Sequence, residues 1–251
     1  MDLQRGSSWK RIAAWILDLM LLAVLSVGAA FGLSAALGYD SYDQTLQAAY
    51  DRYEQQYGIT FDIDQAIYEA MTDAEKENYN AAYDALVADE EAMHAYNMIV
   101  NLSMVIITLG ILAATLVLEF VVPLLLKNGQ TVGKKCFSLG VTRVDGVKVT
   151  PVQMFIRTVL GKFAVETMIP VYVVLMIFWG TMGLGGTIVL LLLLVIQIAC
   201  LALGQMRQSI HDRLAGTVLV DISSQKIFES TEDLIAYTKR IHAELAKRQD
   251  Y

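Results

Sequence analysis

The sequence predicts an all-α integral membrane protein: a four-helix transmembrane bundle with a helical extracellular insertion and a small cytoplasmic β element. Four apolar stretches carry this expectation, residues 12–38, 98–126, 163–180 and 187–204. Each reaches or approaches the roughly 20 residues that a bilayer-crossing helix needs. The chain is 55% hydrophobic and 18% charged, and its charges lie in blocks outside those stretches. The last two stretches meet at Gly180, Gly183, Gly185 and Gly186. A single helix of about 42 residues there would be ~63 Å long, so the glycines are read as a tight turn between two spans.

The charge blocks orient the chain. Residues 1–15 carry Arg5, Lys10 and Arg11 against Asp2, and residues 127–162 carry seven basic residues against Asp145 alone. Both are expected in the cytoplasm, because short cytoplasmic segments are enriched in Lys and Arg. Residues 39–97 hold fourteen Asp or Glu and only Arg52 and Lys76, a balance of −12, so this insertion is expected outside. The whole-chain charge of −7 averages these unlike parts. Four crossings return the mixed-charge tail, 205–251, to the cytoplasm, giving a multi-pass cell-membrane protein with both termini inside. A cleaved signal peptide fits poorly, since the first apolar run is too long and Asp18 interrupts it. Cys136 and Cys200 face the reducing side and are expected as free thiols.

The insertion is punctuated as a set of helices. Asp40 or Ser41 caps a segment ending at Gly58; Thr72 to Glu75 forms a capping box; Asp89 caps a helix running on into the second span. Seven tyrosines between Tyr50 and Tyr96 supply amphipathic rings for packing or for the headgroup level. On the basic side, residues 141–149 alternate around Asp145-Gly146, a hairpin signal, and residues 217–222 form a second β-like run able to pair with it. Residues 230–248 read as an amphipathic helix.

Charged side chains within apolar spans are costly and mark sites of interest. Asp18 lies in the first span, Glu119 in the second and Glu166 in the third, at ~9, ~12 and ~6 Å from the inner boundary at about 1.5 Å per residue. Arg11, Arg157 and Arg213 are the nearby counter-charges. Two readings follow. In one the charges are an ion-pair lock holding the helices in register; in the other Asp18, Glu119 and Glu166 form a proton or cation site.

Other chemistry is excluded. Residues 129–135, GQTVGKK, lack one residue of the phosphate-loop spacing and the Ser or Thr that would hold magnesium. Asp62 and Asp64 are spaced as in a calcium loop, but the glycine and closing Glu are missing. No zinc motif, nucleophile set or cofactor pattern is present, so no catalytic residue, metal or cofactor is expected and the protein is read as a non-enzyme. Gly28 and Gly32 form a GxxxG step, a candidate homo-oligomer contact. The expected partners are the lipid bilayer and proteins at the acidic ectodomain, with no nucleic acid.

Three stretches together resemble the RDD family of polytopic membrane proteins, named for one arginine and two aspartates: Arg11-IAAWIL-Asp18, GQTVGKKCFSLGVTRVDG at 129–146, and RQSIHDRLAGTVLVD at 207–221. The resemblance makes Arg11, Asp18 and Asp212 the naming residues and covers roughly 5–38 and 98–222. The insertion and the C-terminal helix lie outside it, and a fourth span departs from the three often assigned in the family. It implies a membrane fold with a loosely defined activity, since some members have been proposed as sodium/proton antiporters and others look like accessory proteins. A non-enzymatic scaffold or accessory protein is the first expectation, and a cation- or proton-coupled transporter the alternative. Asp212, just after the fourth span, is expected to pair with Arg11.

Overall fold

The computed structural model describes residues 7–126, 128–178, 180–203 and 208–249. Asp2, Arg5, Lys127 and Arg207, used above for charge or motif, lie outside them. Two compact units are present, one formed by residues up to Ser26 and from Leu112 onward, the other by Val27–Ile111. Four helices are long and apolar enough to cross a membrane.

The first is α1 (Ser8–Ala36), 29 residues without a helix breaker. Gly38, at φ 68°, then turns the chain into α2 (Tyr39–Tyr57), which Gly58 ends at φ 63°. Both positions need the left-handed conformation that glycine adopts without strain. Asp64 accepts from the Ile67 N–H to start α3 (Gln65–Ala70), a short helix the sequence reading did not separate. The Thr72–Glu75 capping box opens α4 (Asp73–Ala88) as expected. Asp89 then accepts from the Glu91 and Ala92 N–H groups at 3.0 and 3.1 Å. This cap begins α5 (Glu90–Leu125), which carries the second span.

The core of the Val27–Ile111 unit is small: Leu46, Ala49, Leu86, Ala92 and Ala95, with Tyr50, Tyr53 and Phe61 packed against it. Aromatic edges extend it through Tyr50–Phe61, Phe61–Tyr79 and Tyr68–Tyr79. The tyrosines therefore act mainly as packing groups, while Tyr83 and Tyr96 stay exposed.

In the other unit, α6 (Val132–Cys136) is capped by Thr131. It leads into β1 (Leu139–Arg143), and α7 (Pro151–Phe178) follows. The third span thus begins a dozen residues before the expected boundary at 163. A Thr150–Gln153 capping box with Pro151 in the first turn starts the helix there, and the basic loop is shorter by that length. The turn after α7 is at Gly180, φ 71°. Gly183, Gly185 and Gly186 already belong to α8 (Gly183–Leu203), where Gly186 admits the close approach of Ile177 and Val173.

α9 (Ile210–Ala215), β2 (Thr217–Asp221) and α10 (Thr231–Gln249) complete the chain. β1 and β2 pair antiparallel with Val141 opposite Leu219. The expected Asp145-Gly146 turn forms, with Gly146 at φ 84°. The hairpin does not extend: its return arm is reduced to one bridge, Thr142 to Lys148, because the Phe228 N–H donates to the Gly146 carbonyl, the Lys148 N–H donates to the Phe228 carbonyl, and Thr150 starts a helix. The sheet is therefore built from strands far apart in sequence. Its buried residues, Leu139, Val141 and Leu219, pack on Ala14 of α1.

Among the described residues, the spanning helices bury few of their side chains. Along α1 only Ala14 and Asp18 are buried, while Trp15, Val24 and Phe31 are exposed. On α8 the apolar face at Leu191, Leu194 and Val195 is likewise bare. These side chains are suited to lipid contact, since exposed apolar area on this scale is rare in water.

Candidate functional site

Two segments of the spanning helices depart from α geometry. Leu116–Val121 in α5 and Ile156–Met168 in α7 wind as π-helix. Such turns are rare and frequent at functional sites. Here they carry Glu119, Arg157, Lys162 and Glu166, which belong to two buried polar clusters.

The first cluster forms around Asp18 and Glu119. Asp18 is one helical turn from Ala14, so both face the same way and meet the loop before β1. The Thr131 hydroxyl donates to the Asp18 carboxylate, and the Gly133 N–H donates to its Oδ1 at 2.8 Å. Gly133 is required by closeness: a Cβ there would strike the Ala14 carbonyl oxygen and lie 2.9 Å from the Asp18 carboxylate. The next residue, Lys134, turns inward and places Nζ 3.6 Å from Glu119 Oε2. Lys162 pairs with Oε1 of the same carboxylate. The Thr158 hydroxyl donates to the Glu119 carbonyl at 2.9 Å, holding α7 on α5. Burial pulls the Lys134 ammonium down to about 8, against the opposing pull of Glu119.

The second cluster forms around Asp212. Its Oδ1 accepts from Arg157 Nε at 2.8 Å and from the Thr217 hydroxyl at 2.9 Å, and its Oδ2 from the Ser209 hydroxyl at 2.9 Å. Both charges of the Arg157–Asp212 pair are 3% exposed. Burial would raise the Asp212 carboxyl, but Arg157 holds it well below the usual carboxylate range. His211 lies between Arg157 Nη2, 2.9 Å from its Nε2, and Glu166 Oε2, 2.7 Å from its Nδ1. Because arginine can only donate, Nε2 must accept and Nδ1 carries the proton to Glu166. Burial, and then Arg157, push the imidazole below its ordinary value, in keeping with a neutral ring. Glu166 also accepts from the His211 N–H at 3.0 Å, and Gly161 lets α7 lie directly on His211. Lys10 adds a third tie, pairing with Asp221 of β2 at 2.7 Å.

A model of the RDD family matches residues 5–216. The chain belongs to the RDD family. Among curated proteins and solved structures no match was found.

In this RDD protein Asp18 and Asp212, the aspartates that the resemblance singled out, are both buried, at 6% and 2% exposure, each in its own cluster. Arg157 supplies the counter-charge to Asp212, the role that sequence expected of Arg11. Arg213, the other expected counter-charge, is exposed and donates to the Cys200 carbonyl at the end of α8. Glu166 belongs with His211 and Asp212, so the three span carboxylates do not converge on one point. Gly28 and Gly32 have nothing within 4 Å of where a Cβ would stand. Sequence reading missed Thr131, Lys134, Lys162 and His211 as participants. Two signals pointed to them: the GQTVGKK loop follows a span bearing a buried acid, and His211 adjoins a naming aspartate.

Proposed function

We propose that this RDD protein is a non-enzymatic multi-pass membrane protein whose inner-side charges form a clamp. The observation that carries the reading is the Arg157–Asp212 pair, fully buried and backed by Ser209, Thr217 and His211. Around it, Asp18, Glu119 and Glu166 each have a hydrogen-bonding donor of their own, so the three buried carboxylates and the half-buried Glu166 serve to join elements. The clamp gathers the ends of α1, α5 and α7, together with α9, onto the two-stranded sheet. An accessory or scaffold role follows, with the acidic unit free to meet partners. The second reading, cation- or proton-coupled transport, is favoured by the paired π-helical segments, since wide turns commonly mark sites that move or bind. The test sets thermal stability in detergent beside gradient-driven cation and proton flux in liposomes for wild type, Asp18→Asn and Glu119→Gln. The clamp reading expects lower stability in both variants and no coupled flux in any of the proteins. Coupled flux in wild type that disappears in stable variants would replace it with transport.

The orientation proposed with this function places both termini in the cytoplasm and the unit containing α2 to α4 outside, as the charge asymmetry requires. A cysteine introduced at Ala81 should therefore react with a membrane-impermeant thiol reagent on intact cells. Ala81 is exposed on α4, so labelling only after lysis would reverse the assignment.

A further inference from the structure

Glu119 has more positive charge around it than one carboxylate needs. Lys162 is hydrogen-bonded to Oε1, while Lys134 stands 3.6 Å from Oε2, beyond hydrogen-bond range. Arg157 acts on the same carboxylate through space. The Oε2 of Glu119 and the Nη1 of Arg157 are nonetheless both buried without a hydrogen-bond partner. Their helices touch here, because Thr158, next to Arg157, is bonded to the Glu119 carbonyl at 2.9 Å, and the Arg157 charge acts on the Glu119 carboxylate. Buried polar atoms in proteins nearly always have partners, and a bound water or ion is one explanation for those without a protein partner. Here one atom accepts and the other donates. A bare cation would be repelled by Lys134 and Arg157, and a bare anion by Glu119, whereas water serves both atoms.

The second observation is redundancy. If Lys134 lost its proton, Glu119 would keep its hydrogen-bonded Lys162 and the field of Arg157, so no buried charge would be stranded. Among the described residues, the other hydrogen-bond donors to Asp212 are the hydroxyls of Ser209 and Thr217. The charged groups facing Lys134 are Asp18 from α1, Glu119 from α5, and Arg157 and Lys162 from α7.

We propose that Lys134, Glu119 Oε2 and Arg157 Nη1 line a hydrated proton-exchange site in which Lys134 alternates between ammonium and amine while Glu119 stays ionised. The proton leaves Nζ on water, giving a neutral amine and hydronium, and no other bond changes. The site requires neither the clamp nor the transport reading. The position of the Lys134 ammonium, about 8 against an ordinary value of 10.5, agrees with it.

The test uses the full chain in detergent, melted across pH 7 to 10 as wild type, Lys134→Arg and Lys134→Met. The folded ammonium releases its proton at lower pH than the unfolded one, so the folded state binds fewer protons in that window. Wild-type stability gained from Lys134 is therefore complete above the unfolded value and lost as pH falls through about 8. The wild-type melting temperature should rise by several degrees from pH 7 to 10 relative to Lys134→Arg, which stays charged, and likewise relative to Lys134→Met, which does not titrate. Parallel curves would overturn the proposal. Should neither variant fold, high-resolution density of wild type decides: a water peak within about 3 Å of Glu119 Oε2 and Arg157 Nη1 supports the site. A direct Glu119–Arg157 contact, an empty gap, or a peak that strengthens with bromide in place of chloride refutes it.

Discussion

Arg157→Met is expected to be among the most destabilising single changes in the chain, with a loss of about 3–5 kcal/mol. The reason is what it leaves behind: Asp212 would remain buried and ionised, with the hydroxyls of Ser209 and Thr217 as its hydrogen-bond donors among the described residues. Asp212→Asn should also be costly, by stranding the guanidinium, though its amide can keep part of the hydrogen bonding. The double variant Arg157→Met, Asp212→Asn strands neither charge and should recover a substantial part of the single losses, because much of the cost of breaking a buried pair is the desolvated partner and not the lost attraction. Folded yield by size exclusion, with thermal melts of all four proteins, measures this. Additive losses would show that the two residues act independently, and single variants as stable as wild type would remove the clamp from the account of the fold.

Much of this architecture was legible because it rests on local rules. Apolar length fixed the spans, and short-range chemistry fixed the helix starts at Thr72 and Asp89 and the stops at Gly58 and Gly180. The burial of Asp18 and Glu119 was likewise foreseeable from their place in apolar runs. The pairing was harder. Asp212 has Arg157 as its partner 55 positions away, and Asp18 has Thr131 at 113. Proximity to the membrane boundary cannot separate Arg11, Arg157 and Arg213, because all three flank expected spans on the same side. What selects Arg157 is the early start of α7 at Pro151, which carries residue 157 into the helix facing α9. That start was signalled by Thr150, Pro151 and Gln153, and the basic charge of the segment masked it. The hairpin expectation failed similarly: alternation cannot say which strand is the partner, and the distant β2 competes successfully with the nearby arm.

Gly133→Ala should be nearly as damaging as loss of the Arg157 charge, although it adds a single methyl group. That methyl would overlap the Ala14 carbonyl oxygen and stand 2.9 Å from the Asp18 carboxylate; the first is backbone and the second is held by the Thr131 hydroxyl and the Gly133 N–H. To relieve the clash α1 must move away from the loop. Doing so stretches the Gly133 N–H bond to Asp18, now 2.8 Å, and the Thr131 bond beside it. Overpacking costs roughly 1–3 kcal/mol, and hydrogen bonds to a buried charge add a comparable amount, so a loss of about 3 kcal/mol or more is expected. Gly28→Ala is the internal comparison, since it makes the same chemical change on α1, the helix that Gly133 touches, and nothing lies within 4 Å of its Cβ position. There alanine should be neutral or stabilise by about 0.5–1 kcal/mol through helix propensity. Melts of the two variants against wild type test the pair of expectations. Equal stability of Gly133→Ala and wild type would show that the loop does not grip α1 through Asp18. A loss at Gly28 as large as that at Gly133 would instead place a second packed surface against α1, as a GxxxG contact between two copies requires.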